Sequence, residues 1–504
     1  MKLKTIIQPL VFIVALLFFS CDNEPINESN VLNDSYSSSA LKAQIGQVFK
    51  VEPTGVDDTQ NIKDAFADAK LAGDGNTVQL ASGTFIISEP IVVTDFNGTF
   101  KGAGKDLTTI EDADGTFPLI SSGPMMGQQG FIVFYLENNG VGNLSVSDMT
   151  IHPRNKTEEA VYFEGGAWHN DSHWGLRIHG KCNGLADFAN STMNVKVNSV
   201  DFIGDLGDFL SGTSLDIALF ITGEYVYENT GTTQLLKLIE EMSGTIEVTN
   251  CSFKNNRLAV DISGTSDANI TVGGSPKNGN SFDTVVGAAS FWDVSGANLK
   301  ISYNKGTNIT DWGVYAEQGY SAYIPFDGFG PYFAEFGKPD QAYVLVEHND
   351  FDTEDLGIII SDIATAFGDG KTLNAVVSKN KINMSNSWCA GVYGWDSDDV
   401  LVSNNKFNGI GTAGVVFGLW ESGGHNNWMI QGNNFDNFTP DVASIWLGSD
   451  SNNCTVIGGD NTVNVFDQGT NNILTGVNNQ GNPPGPEIKE AMKMKMETIK
   501  SIRN

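Results

Sequence analysis

Trp420–Phe435 reads W-E-S-G-G-H-N-N-W-M-I-Q-G-N-N-F, and 26 positions further on Trp446–Asn461 reads W-L-G-S-D-S-N-N-C-T-V-I-G-G-D-N. The two segments share a Trp, an Asn pair (Asn426–Asn427 and Asn452–Asn453), an apolar residue (Ile430 and Val456) and a Gly (Gly432 and Gly458). Upstream, V-E-H-N-D-F, V-S-K-N-K-I and V-S-N-N-K-F end at Phe351, Ile382 and Phe407. Related phrases end at Ile151, Phe202 and Phe253, about two such periods apart. A period in the mid-twenties, made of short β-runs and Asn/Gly turns, belongs to stacked coils. One coil cannot bury its own apolar residues, so neighbours must stack to make a core. The chain is therefore all-β and forms a single parallel β-helix. The shared offset predicts that Trp420 and Trp446 occupy equivalent points on neighbouring coils.

Within the coils a G-V-x-aromatic strand recurs: W-G-V-Y-A-E ending at Glu317, L-G-I-I-I-S-D at Asp362, A-G-V-Y-G-W-D at Asp396 and A-G-V-V-F-G-L-W-E at Glu421. Side chains alternate between the two faces of a strand. Val314, Ile358, Val392 and Val415 then point inward, and Trp292, Tyr315, Tyr393, Trp395, Trp420 and Trp446 point outward. Asn380, Asn405 and Asn433 hold the same place in their phrases and predict a stacked Asn ladder at one turn. Tyr320 to Asp340, dense in Phe, Tyr, Gly and Pro, fits no strand and reads as a projecting loop.

The ends differ from the middle. Residues 1–20 combine Lys2 and Lys4 with an apolar run from Leu10 to Phe19, as in an export signal, and are too short to span a bilayer comfortably. Ending at Ser20-Cys21, they resemble a bacterial lipoprotein signal. That resemblance implies lipidation at Cys21, which attaches a protein to a membrane without threading it through. A cleaved secretion signal is the alternative. Residues 21–44, rich in Asn and Ser, read as a flexible tether. Next, T-G-V-D-D-T at Thr54–Thr59 precedes Ile62, Ala65, Phe66 and Ala69, a helical apolar face with an Asp/Thr N-cap and Gly73 beyond its end. N-T-V-Q-L-A-S-G-T-F-I-I and F-K-G-A-G-K-D-L-T-T-I follow, the second ending at Ile110. This order of cap helix, G-T-F strand and G-x-G with T-x-I resembles the opening of the pectate-lyase-like superfamily of right-handed parallel β-helices. Ala81 stands where that family often has Pro. The β-helix is assigned to residues 45–481. Residues 482–504 hold Pro483-Pro484-Gly485-Pro486 and then Ile488, Met492, Met496, Ile499 and Ile502 at helical spacing among basic residues. Such a tail covers the open end of a solenoid, or else binds a membrane or partner.

The chain has 504 residues, with Lys+Arg 29 against Asp+Glu 60, a net charge of −31 and a pI near 4.3. That field repels nucleic acid and anionic surfaces. Cys182, Cys251, Cys389 and Cys454 lie far apart without a C-x-x-C, which excludes the usual zinc arrangements and reads as packed thiols.

Three constellations could carry chemistry. Four of six histidines and two of four arginines fall between His152 and His179: His152, Arg154, His169, His173, Arg177 and His179. Arg177 and His179, two apart in G-L-R-I-H-G, should face outward together, and His173, Arg177 and His179 are the candidate catalytic set. An Arg can neutralise a sugar carboxylate while a His takes a proton; polar histidines that merely hydrogen-bond are the alternative. Second, Glu317, Asp362, Asp396 and Glu421 close successive strands, with Asp450 just beyond, so carboxylates on neighbouring coils would approach glycosidase separations. Polygalacturonase motifs are missing: Asp398-Asp399 and R-I-H are present, but there is no N-T-D or G-H-G. Asp396, Asp398 and Asp399 offer the oxygen ligands that Ca²⁺ takes, and no cofactor is otherwise implied. Third, the outward row Trp292, Tyr315, Tyr393, Trp395, Trp420 and Trp446 suits sugar stacking unless a loop covers it.

These readings converge on a monomeric lipoprotein, periplasmic or on the outer cell surface. It would recognise a polysaccharide and cleave it by lyase or hydrolase chemistry; a non-catalytic binding or structural surface β-helix is the competing class. If Cys21 carries the anchor, Cys21→Ser should leave the membrane fraction and take up no labelled fatty acid. Retention on the membrane would put the anchor elsewhere, with the C-terminal helix the next candidate.

Overall fold

A computed structural model describes residues 46–494 apart from 124–129, 139–140, 155–172, 183–191, 206–214, 230–233, 241, 267, 318–342, 362–373, 396, 420–424, 459–462, 480–482, 489 and 493. Cys21 and the signal lie outside the described residues. The described strands make one parallel sheet of 30 strands wound into a β-helix. Its hand is the right-handed one that parallel crossover connections take. Each complete coil contributes to three faces. The first runs from Val48–Val51 through Asn76–Leu80 and Gly98–Lys101 to Ile473–Thr475. The second runs from Gly83–Ile87 through Thr108–Asp112 to the start of Asn434–Leu447. The third runs from Ile91–Thr94 through Ile132–Asn138 and His173–Cys182 to Val465–Asp467.

The repeated phrases stack as the sequence predicts. Ile110, Ile151, Phe202, Phe253 and Phe282 are register partners in turn, and further on so are Phe351, Ile382 and Phe407. Their rings lie face to face: Phe202–Phe253 at 5.0 Å and 1°, Phe407–Phe435 at 5.0 Å and 7°. This column explains the Gly of the G-V-x-aromatic strands. A Cβ at Gly313, Gly357, Gly391 or Gly414 would run into Phe351, Ile382, Phe407 or Phe435 respectively. Val314, Ile358, Val392 and Val415 are fully buried in the same core, as the alternation requires.

One spacing is corrected. Ile151, Phe202 and Phe253 stand about two periods apart in sequence, yet they sit on adjacent coils. The surplus residues leave the stack instead, partly as an antiparallel hairpin of Glu224–Asn229 with Gln234–Glu240.

The corner between the first and second faces is held by the Asn ladder, which is longer than the three residues read from the phrases. Asn280, Asn304, Asn349, Asn380, Asn405 and Asn433 pass a side-chain amide hydrogen bond from coil to coil at 2.9–3.1 Å. Asn349 illustrates the rung. Its Nδ2 donates to Asn380 Oδ1 (2.9 Å) and to the Ile301 carbonyl (3.0 Å), while its Oδ1 accepts from the backbone N and Nδ2 of Asn304, both at 3.0 Å. The preceding residue turns the chain through a left-handed conformation: Tyr303, His348, Lys379 and Asn404 have φ of 60°, 57°, 56° and 55°.

The N-terminal end is capped by helix α1, Thr59–Leu71, whose buried residues include Ile62, Ala65, Phe66 and Ala69. Phe66 packs within 5.0–5.7 Å of the rings of Phe96, Phe100 and Phe134. Asp57, rather than Asp58, supplies the side-chain cap, accepting from the Thr59 N–H at 2.9 Å; buried Asp58 instead ties Thr54 and Ile86 together. In the C-terminal tail the described residues from Pro486 onward are helical, and Ile488 and Met492 pack on the outside of the third face. Cys251, Cys389 and Cys454 are buried, and burial raises the Cys251 and Cys454 thiols to about 12 and 11. They are packing residues; the Cys182 side chain lies outside the described set.

Asn349→Leu should remove the acceptor of two Asn304 donors and leave them buried. The expected loss is about 3 kcal/mol of stability, since each orphaned group costs about 1–3 kcal/mol. Thermal or urea unfolding measures it, and an unchanged midpoint would mean the ladder contributes little.

Candidate functional site

The connections place the site before any side chain is considered. Between first and second faces the chain crosses in a few residues, as from Asn198 to Asp201 or from Ser378 to Lys381. The long connections all enter or leave the third face. They include 153–172, 204–214 and 318–342, and the hairpin follows the third-face strand Leu215–Thr222. Loop variation on a fixed scaffold is where binding sites are built.

The outer side of the third face carries two rows. In strand His173–Cys182, Leu176 and Ile178 are fully buried inside, so Arg177 and His179 point out. Register carries Arg177 to Phe220, Asp261, Ser290, Tyr315, Ile359, Tyr393, Val416, Trp446 and Phe466. It carries His179 to Thr222, Ser263 and Trp292, and Glu317 continues this row to Ser361 and Trp395. The Arg177 row turns apolar from Tyr315 onward, whereas the His179 row keeps Glu317 and Ser361 between Trp292 and Trp395.

The polar end is covered although it faces out. Arg177, His179, Asp261 and Glu317 have relative exposures of 6%, 5%, 4% and 5%. Burying ionisable groups is costly, and where they gather on an outer face the arrangement marks a site. The Arg177 guanidinium lies 4.7 Å from the Trp174 ring centre and 5.6 Å from that of Phe220, and burial pushes it down to about 9. It remains a cation at neutral pH, held by the ring faces. The His179 ring lies 5.2 Å from that of Tyr135. At the edge, Asp216 Oδ1 sits 3.5 Å from Arg257 Nη1. Ser263 donates to Thr222 Oγ1 (3.0 Å), and the Tyr315 hydroxyl donates to Glu317 Oε2 (2.7 Å). Asp261 stands two coils from Arg177, about 10 Å at the backbone.

The sequence candidates separate into groups. Arg177 and His179 are brought together as expected; His173 opens the same strand, but its side chain lies outside the described residues, as does His169. His152 and Arg154 go elsewhere. His152 lies between Glu111 (3.4 Å) and Asp205 (3.1 Å), and Arg154 reaches Glu111 and Asp114. The outward register of the aromatic row holds, but its open face does not. Trp292, Tyr315, Tyr393 and Trp446 are buried in a second apolar cluster with Leu356, Ile359 and Met492, and Trp395 is half-buried at its margin. Trp292 stacks on Tyr315 at 4.0 Å, and Trp446 Nε1 donates to Gln468 Oε1 at 3.3 Å. Trp420 and Trp446 are not equivalent. Trp446 pairs with Val416, an offset of 30, whereas the offset of 26 belongs to the following first-face strands, Ile430 with Val456. Trp420 lies outside the described residues.

Of the acids that close successive strands only Glu317 lies within the described residues, where its strand position pairs with Ser361; Asp362, Asp396 and Glu421 lie outside them. Of the candidate calcium ligands, Asp396 lies outside the described residues. Asp398 Oδ1 accepts from Asn426 N (2.7 Å) and Nδ2 (3.0 Å), and Asp399 Oδ1 accepts from Asn427 Nδ2 (2.9 Å), which ties each to the next coil. Among the described residues no three His, Cys, Asp or Glu side chains gather to hold a metal ion. Asp216, Arg257 and Asp261 were missed by sequence reasoning. The alternation of Val260-Asp261-Ile262-Ser263 matches Leu176-Arg177-Ile178-His179 and was the signal that could have found Asp261.

No protein-family model matches the chain, and no curated protein sequence matches it. Solved structures similar to it include the A-module of Azotobacter vinelandii mannuronan C-5 epimerase AlgE4, at 13% identity over 85% of this chain and 94% of that one, TM-score 0.32. PfbA, a surface adhesin of Streptococcus pneumoniae, is 14% identical over 79% of this chain and 92% of its own, TM-score 0.37. The catalytic domain of a GH87 α-1,3-glucanase in complex with nigerose is 14% identical over 84% and 65%, TM-score 0.40. At these identities the likeness is one of chain path, and no residue role passes across.

Trp446→Ala should cost about 3–5 kcal/mol of stability, as for a core aromatic, seen as a lowered unfolding midpoint. A variant that melts like the parent would return Trp446 to the solvent-facing row.

Proposed function

We propose that the chain recognises an acidic polysaccharide on the outside of its third face and cleaves it by β-elimination, with Arg177 and His179 at the centre. The reading rests on one observation: a buried guanidinium and imidazole share the outer side of the one sheet that all the long connections flank. Arg177 would pair with a sugar carboxylate, which stabilises the carbanion that forms when the adjacent proton leaves. His179, two residues along and about 7 Å away at the backbone, would take that proton as its neutral imidazole. The glycosidic oxygen then departs and leaves an unsaturated sugar end. The Arg177 cation is also what lets a polyanion approach a chain of net charge −31. Hydrolysis by paired carboxylates is disfavoured, because Asp261 and Glu317 lie two coils apart and offset along the strands. That is about 12 Å at the backbone, wider than an inverting pair spans between its carboxyl groups. Membership of the pectate-lyase-like superfamily and attachment to the cell envelope through lipidated Cys21 complete the proposal.

Incubation with polygalacturonate and alginate, read by absorbance of unsaturated products and by new reducing ends, tests it. His179→Ala should lower turnover about 10²–10⁴-fold. Reducing ends without unsaturation would replace elimination by hydrolysis. Binding without products would make the chain a non-catalytic surface protein.

A further inference from the structure

Apart from the third face, an open groove of about 610 Å³ lies on the first face. It runs across neighbouring coils near the N-terminal end, and its walls are side-chain amides and hydroxyls. Asn97, Asn143, Asn194 and Thr245 form one row; Thr99, Ser145, Lys196 and Glu247 form the next. The rows are two residues apart along each strand, so the surface is a grid about 7 Å wide with rungs about 4.8 Å apart. We propose that this groove binds an extended neutral polysaccharide, as a second carbohydrate site that does not depend on the third-face reading.

Hydrogen bonding within the Asn row is partial. Asn97 Oδ1 accepts from the Asn143 N–H and Asn143 Oδ1 accepts from Asn194 Nδ2, both at 3.0 Å. Those bonds fix the side chains and leave the Asn97 and Asn143 amide groups as donors and the Asn194 carbonyl as an acceptor. A pre-ordered row of this kind loses little rotamer freedom on binding. Its step is close to the advance of one sugar unit along an extended chain, so successive hydroxyls meet successive rungs. Charge selects against a polyanion: Lys196 and Glu247 face each other at 3.6 Å and neutralise one another, which leaves exposed Asp74 at one end within a strongly negative molecule. An extended peptide fits less well, because the grid has no apolar pockets for alternate side chains.

Affinity electrophoresis in native gels containing dextran, laminarin, xylan or galactomannan tests the proposal, with polygalacturonate as the charged comparison. At least one neutral glycan should retard the protein. Asn143→Ala with Asn194→Ala, both partly exposed, should weaken that retardation at least tenfold while the melting temperature stays within a degree or two of the parent. Arg177→Ala should leave neutral-glycan retardation unchanged, which separates this site from the third face. The proposal is overturned if no neutral glycan retards the parent. It is equally overturned if the double variant binds as the parent does, or if Arg177→Ala alone abolishes the retardation.

Discussion

A buried side-chain amide can satisfy two donors and two acceptors, and the fold rests on repeating that transaction once per coil. In a solenoid every coil must turn at its corners, and each tight turn exposes backbone N–H groups to the interior. From Asn280 to Asn433 one Asn per coil answers those groups, and each rung needs the next coil at hydrogen-bonding distance. The ladder ties this corner from coil to coil, although the crossing varies from two residues between Ser302 and Lys305 to seven between Gly273 and Ser281. Phe202, Phe253 and Phe282 stack just past the corner. The longest connections lie beside the third face.

That division of labour assigns the molecule's surfaces. The third face receives the long connections and carries a charged and polar patch beside an aromatic strip. The strip is spent on packing: Trp292 against Tyr315, and Met492 of the tail within the same cluster. Arg177, His179 and Asp261 lie at the other end of the face, away from most of that cluster. The first face, with short crossings to the second, keeps an open and repetitive polar grid.

The architecture was legible because its signals are local and repeated. Asn380, Asn405 and Asn433 are read from three short phrases, and the alternation that buries Val392 also sends Tyr393 outward. What periodicity cannot state is what lies over an outward residue, since that is decided by segments distant in sequence. Tyr393 is outward and yet fully buried for that reason. Register failed where insertions broke the period. Trp420 and Trp446 look equivalent at 26 residues, but the strand that carries Trp446 is offset by 30 from its neighbour. Asp261 went unseen because its partner Arg177 is 84 positions away, joined only through Phe220 on the coil between.

Hydrogen exchange followed by mass spectrometry tests the central claim most directly. The amides of Asn304, Asn349, Asn380 and Asn405 sit in turns, where exchange is ordinarily fast, but each donates to the Oδ1 of the next rung. The ladder account predicts that peptides spanning these turns exchange as slowly as the buried strands beside them. Exchange at the rate of exposed turns would contradict it and leave the stack held by its apolar core alone.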